Sequence, residues 1–237
     1  EPTDTILEIG AGKGALTLPL AHKVKSVIAV EVDADFTETL RTKVRLYPHV
    51  KIIHGDFRNI RLPSHPFSVV ANIPFSITTP ILIKLLGAEG QCFQKGTLLL
   101  EKGAARRFAV DPTTDPRLLM WRMLFQFDLV REVPRAHFAP PPRVDAAIVT
   151  VIRRERPLVP FKDGNRFAAF ASYVLREPRL GAADSLRGIF TPAQIKFSLR
   201  DARAERDQAV ASLSLGQWAA LFRAMLLHVE PYRWPRG

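Results

Sequence analysis

The sequence predicts an α/β fold: a mostly parallel sheet with an antiparallel pair at one edge, followed by a small all-helical domain. Three observations predict it. Over the first 150 residues, short β-branched runs alternate with helical stretches in the rhythm of βαβ units. Those runs are continuously apolar, as suits strands covered on both faces. Past "ERPLVPF" the prolines mark a linker, and the remaining pattern is helical. The parallel strands are read at "TILEI" (5–9), "SVIAVEV" (26–32), "VKIIHG" (50–55), "FSVVAN" (67–72) and "GTLLLE" (96–101). "FQFDLVREV" (125–133) and "DAAIVTVIRR" (145–154) alternate polar and apolar residues around the proline-rich "PRAHFAPPPRV", so they read as the antiparallel pair. Helices are expected at "RFAAFASYVL", "PAQIKFSLRDA" and "SLGQWAALFRAMLLHV", the last with Ser214 as N-cap. The expected domains are 1–156 and 157–237.

The 237 residues, with mean hydropathy +0.01 and 47% hydrophobic content, have ordinary globular composition. The single cysteine, Cys92, cannot form an internal disulfide, and no Cys/His cluster has metal-site spacing. With no apolar run of ~18 residues and no signal pattern, a monomer in a reducing, cytoplasmic compartment is expected, without metal or membrane. The chain opens on Glu1 and enters a strand almost at once, so an N-terminal segment is expected to be missing. The net charge of +11 and pI near 10.3 suggest a polyanion partner. The first 150 residues carry 19 basic and 15 acidic side chains, the last 87 carry 15 and 8, so the excess rises from +4 to +7 toward the C-terminus. Charge alone leaves RNA, DNA and acidic membrane open.

"LEIGAGKGALT" places Gly10, Gly12 and Gly14 between the first strand and a helix, where backbone and ligand can approach closely. The spacing is G-x-G-x-G, which a tight turn without ligand would also explain. Glu31 closes the second strand 21 residues after Gly10, where an acidic side chain can accept both hydroxyls of a ribose. Asp56 in "HGDF" can meet an adenine amino group, or serve only as a turn aspartate. Together these residues describe an adenosine pocket along successive strand ends. No P-loop pattern is present, and the acidic pair Glu8 and Glu31 would repel polyphosphate while tolerating a sulfonium and an ammonium. S-adenosylmethionine fits best.

The fourth strand delivers Asn72-Ile73-Pro74-Phe75 to the same edge. Pro74 keeps Ile73 extended and removes one backbone donor, leaving acceptors without a strong base. That suits methylation of an exocyclic amine, which need not lose a proton before attacking a sulfonium. The Asn72 oxygen and the Ile73 carbonyl can accept its N–H groups and stabilise the charge it gains. Phe75 offers a face for an extruded base, a stack worth ~1–3 kcal/mol. Phe138 is a candidate for the other side, or for packing beneath its loop.

These residues resemble the rRNA adenine-N6 methyltransferases. "LEIGAGKG" is similar to the family's motif I, "VEVD" to its ribose-binding acidic motif, "GDF" to its adenine-contacting motif and "NIPF" to its N-[LI]-P-[YF] catalytic motif. "VPRAHFAPPPRVDAAIVTVIRR" resembles the segment that closes its catalytic domain, and the tail resembles its helical C-terminal domain. The resemblance implies a Rossmann-like class I methyltransferase sheet followed by an RNA-binding helical domain. It implies cofactor contacts from Gly10, Ala11, Gly12, Glu31, Val32, Asp56, Phe57 and Asn72, a catalytic Asn72-Ile73-Pro74-Phe75, and a target adenine between Phe75 and Phe138. The family's Gln-x-Phe-type motif upstream of motif I has no counterpart, so weakened cofactor binding is expected. "NIPFSITTPIL" and the arginines after "AAIVTV" look most like the erythromycin-resistance (Erm) branch, which implies an adenine of 23S rRNA and macrolide, lincosamide and streptogramin B resistance. The alternatives are a 16S rRNA dimethyladenosine transferase of ribosome assembly, a non-catalytic RNA-binding relative, and a DNA adenine methylase. Arg106, Arg107, Arg143, Arg153 and Arg154 are the candidate phosphate contacts.

Overall fold

In the computed structural model, which describes residues 4–110 and 112–236, strands and helices alternate as the sequence predicts. In chain order they are β1 (Thr5–Ile9), α1 (Thr17–Ala21), β2 (Ser26–Glu31), α2 (Ala34–Lys43), β3 (Val50–His54), β4 (Phe67–Asn72), α3 (Thr78–Leu86), β5 (Phe93–Glu101), α4 (Lys102–Ala109), α5 (Pro116–Leu124), β6 (Phe125–Val133) and β7 (Ala146–Arg153). The helices α6 (Gly164–Val174), α7 (Ala182–Ser185), α8 (Pro192–Ala202) and α9 (Leu215–His228) follow.

The seven strands form one sheet in the order β3-β2-β1-β4-β5-β7-β6. β1 pairs in parallel with both β2 and β4, β2 with β3, and β4 with β5, whereas β7 runs antiparallel to β5. Burial explains the continuous apolar runs: Leu7, Val27 and Val69 at the sheet centre are at most 1% exposed. The chain moves outward from β1 to β3 and then returns to β4 on the other side of β1. The gap between the carboxyl ends of β1 and β4 is therefore the switch point at which open α/β sheets bind ligands.

The contacts divide the chain into two units, Glu1–Val110 with Phe127–Arg153, and Asp111–Gln126 with Arg154–Gly237. The second unit therefore differs from the expected 157–237 domain by also taking α5, which the sequence reading leaves in the first domain. The physical reason is apolar: Leu119 and Met123 of α5 are buried in a cluster with Phe167, Phe170, Trp218 and Phe222. The edge-to-face Phe167–Trp218 and Phe167–Phe222 pairs sit 6.4 and 5.3 Å apart. Local signals set the helix starts. Asp115 caps α5 by accepting from Arg117 and Leu118 N–H. Thr191 with Gln194, and Ser214 with Gln217, form capping boxes at α8 and α9. No helix among the described residues is long and apolar enough to cross a membrane.

Candidate active site

Four strand ends stand side by side at the carboxyl rim of the first unit: Asp56 follows β3, Glu31 closes β2, Gly10 follows β1 and Asn72 closes β4. At ~4.8 Å between strands the row spans about 14 Å. Gly10 adopts φ +72°, and a β-carbon there would stand 3.7 Å from the Asn72 carbonyl oxygen, so the glycine loop and the end of β4 approach closely. Between them lies a cavity of about 490 Å³ lined by Glu8, Gly10, Ala11, Gly12, Asn72 and Leu99. Its sheet-side residues Glu8, Val70, Asn72, Thr97, Leu99 and Ile148 share one face by strand alternation. A larger cavity of about 590 Å³ opens at the other end of this face, at Asp4, Ser68 and Lys95. It lies at the amino ends of the strands, away from the glycine loop, and carries none of the candidate residues.

Glu31 is 6% exposed and organises the loop. One carboxylate oxygen accepts the Gly12 N–H at 2.7 Å, and the other accepts the Val32 and Asp33 N–H groups at 2.9 Å each. A carboxylate has about four acceptor sites, so three are in use and one remains, where the expected pair of ribose hydroxyls would need two. The Gly55 N–H donates to the Glu31 carbonyl at 2.8 Å, which joins the ends of β2 and β3. Val32 stands 66% exposed beside them and offers an apolar surface. Asp56 is clamped by the Arg58 guanidinium and backbone N–H, and that donor holds its carboxyl below the usual range. A ligand amine would share Asp56 with Arg58. Phe57 differs from expectation: its ring is 4% exposed, 5.9 Å from the Lys84 ammonium, so it belongs to the core and has no face for a ligand.

Glu8, at 1% exposure, is the unusual group of the cavity. Burial raises its carboxyl to about 7, the Glu31 charge adds to this, and a 2.6 Å bond from the Thr17 hydroxyl only partly offsets it. A cavity with a buried carboxyl and a backbone-lined glycine loop fits a cationic nucleoside such as S-adenosylmethionine; Glu31 stands behind the loop at Gly12, and the Lys13 ammonium lies 5.3 Å from the Phe36 ring centroid. The sequence places an acid here, but only the packing of its neighbours reveals the burial. Leu16, Leu99 and Ile148 were not legible as cavity walls at all.

Asn72 is exposed and lines the cavity, while Ile73 is anchored: its side chain is 1% exposed and its N–H donates to the Leu99 carbonyl at 3.1 Å. Pro74 is exposed, and Phe75 is half-buried on the 3₁₀ turn Phe75–Ile77. Phe138 is half-buried in the proline-rich loop. Neither aromatic lines the cavity itself.

The candidate arginines divide. Arg143, Arg106 and Arg107 are all exposed; Arg106 and Lys102 also face Glu132 at 3.8 and 2.6 Å, and the Arg107 guanidinium lies 5.3 Å from the Phe108 ring centroid. Arg153 is not a phosphate contact. It turns inward to donate to the Phe93 carbonyl at 2.6 Å and the Gly90 carbonyl at 2.9 Å, strapping β7 to the start of β5. Burial lowers its pKa accordingly. In the second unit, Arg154 donates to the Arg122 carbonyl at 3.2 Å.

Sheet order, switch-point cavity and glycine loop define a class I methyltransferase fold. The chain belongs to the ribosomal RNA adenine dimethylase family, whose model matches residues 1–225. The rRNA adenine N-6-methyltransferase of Bacillus licheniformis is 42% identical over 234 residues, 99% of this chain and 82% of that protein. Ribosomal RNA small subunit methyltransferase A of Geobacter metallireducens is 34% identical over 238 residues, 95% of this chain and 86% of that protein. Among solved structures, the crystal structure of the 23S rRNA methyltransferase ErmE superposes with a TM-score of 0.84 at 27% identity, covering 95% of this chain and 92% of that one.

Proposed function

We propose that this methyltransferase modifies N6 of an adenine in 23S rRNA, using S-adenosylmethionine, and so confers macrolide, lincosamide and streptogramin B resistance. The observation that carries the chemistry is that Asn72 and the glycine loop line one cavity. When bound, the cofactor supplies an electrophilic methyl group on a sulfonium. Gly10, Ala11 and Gly12 would hold it by backbone, Glu31 through its remaining acceptor site, and Val32 by apolar contact, with Asp56 at the end of the row.

The chain's own task is to orient the amine. The amide oxygen of Asn72 can accept one N–H, with the Ile73 carbonyl as second acceptor. Both stabilise a nitrogen gaining positive charge more than they stabilise the neutral amine. Ile73, fixed to Leu99 and buried, keeps that short segment rigid, so little reorganisation is needed as charge develops. Phe75 supplies a stacking face directly after it, and Phe138 a second. The exposed Arg143 and the Arg106 side chain contact phosphates.

The choice of 23S rRNA is supported by the likeness to the 23S rRNA methyltransferase ErmE. The alternative, a small-subunit target, is supported by the 34% identity to the Geobacter protein. The test is transfer of labelled methyl to naked 23S and 16S rRNA, followed by primer extension to locate the base. A single adenine stop on 23S rRNA is expected, with raised macrolide tolerance in a susceptible host expressing the protein. Modification of 16S rRNA alone removes the proposal.

A further inference from the structure

We infer that the C-terminal half of α8 and the turn after it form a groove for the phosphodiester backbone of the RNA substrate. This rests on the reading of the protein as an rRNA methyltransferase and extends it to the second unit. Lys196, Arg200 and Arg203 recur at i, i+4 and i+7, which places them on one helix face over roughly 10 Å. Arg206 joins them from the following turn, and the four line one cavity of about 380 Å³.

All four are exposed, and among the described residues none of their side chains pairs with a carboxylate. The Arg200 guanidinium lies 5.5 Å from the Phe197 ring centroid. Two other arginines of the same unit do meet carboxylates, Arg166 with Asp163 and Arg187 with Asp184, each at 2.8 Å. Glu205 is the carboxylate that lines this cavity, so four cations face one anion. Convergent like charges repel, and an external anion relieves that repulsion.

Backbone conformation supplies an independent observation. Arg203 sits at φ +52° and ψ 43°, the left-handed C-cap position where glycine is the usual residue. It is held there from three sides. Its N–H donates to the Arg200 carbonyl at 3.1 Å, the Ala204 N–H to the Leu199 carbonyl at 2.9 Å, and the Gln217 side-chain amide to the Arg203 carbonyl at 2.8 Å. The cap thus holds Arg203 at the wall of the basic cavity. Attraction between cations and the helix C-terminus would account for Arg200 and Arg203, but not for Arg206 beyond the helix or Lys196 nearly two turns earlier. A concave site of several unpaired guanidinium and ammonium groups suits successive phosphates.

The experiment measures binding of a fluorescently labelled 23S rRNA fragment by anisotropy across about 0.05–0.3 M salt. Wild type is compared with the triple variant Lys196→Gln, Arg203→Gln, Arg206→Gln and with Arg203→Gly. Three lost phosphate contacts should flatten the log–log salt slope by about 2 and weaken binding about a hundredfold near 0.1 M. Arg203→Gly, which relieves the backbone, should bind RNA more weakly with an unchanged or raised Tm. A triple variant that matches the wild-type affinity and slope overturns the groove, as does a fall in Tm with the salt slope intact. A wild-type protein that binds no RNA instead overturns the functional reading beneath it.

Discussion

Replacing Glu8 with glutamine should remove a pH-dependent load on the fold. Burial raises the Glu8 carboxyl from 4.5 to about 7. Between those values the folded state holds a proton that the unfolded state has released, so stability falls as pH rises through this window and levels off above it. At about 1.4 kcal/mol per pH unit, the ionised Glu8 costs the fold about 3 kcal/mol near pH 8 and almost nothing near pH 4.5. Glutamine keeps the shape and an acceptor for the Thr17 hydroxyl without the charge. Urea unfolding of both proteins near pH 5 and pH 8 measures the effect. The variant should gain about 3 kcal/mol near pH 8, a midpoint shift on the order of 1 M urea, and only about 0.8 kcal/mol near pH 5. Equal differences at the two pH values would refute the assignment of a buried, proton-holding carboxyl.

Other changes probe the same architecture. Gly14→Ala places a β-carbon 2.8 Å from the Leu40 side chain at φ +89°, and should lower stability by about 1–3 kcal/mol in thermal unfolding. Arg153→Ala removes the bonds to the Phe93 and Gly90 carbonyls; it should destabilise by about 2–3 kcal/mol yet leave the salt slope of RNA binding unchanged, separating strap from phosphate contact. Because a bound cation favours ionised Glu8, S-adenosylmethionine binding near pH 6.5 should release a fraction of a proton. Calorimetry in two buffers of different ionisation enthalpy reads this directly, and Glu8→Gln should abolish it.

Strands were legible wherever local composition decides the outcome. The continuous apolar runs at 5–9, 26–31 and 67–72 form the parallel core of the sheet, and β6 spans the predicted 125–133. The N-cap at Ser214 was equally local. What depended on distant partners was not legible. α5 was not read as an element at all, and nothing local showed that Phe167 and Trp218 would cover its apolar face. Arg153 looks like any strand-end cation until the Gly90 carbonyl, 63 residues away in sequence, is placed beside it. Asn72 and the glycines were recognisable because their chemistry is carried by residue type and order, whereas the burial of Glu8 comes from its packed surroundings. The cations of α8 repeat visibly in the sequence, but only the left-handed turn at Arg203 shows Arg206 closing on the same cavity.

The central claim is that the Asn72 amide orients and stabilises the reacting amine. Single-turnover methyl transfer to the target rRNA by Asn72→Ala tests it, with RNA affinity measured alongside. The rate should fall about 10²–10³-fold, as on loss of one well-placed polar group, while RNA affinity stays within a few-fold of wild type. A variant that transfers methyl at close to the wild-type rate would contradict the account.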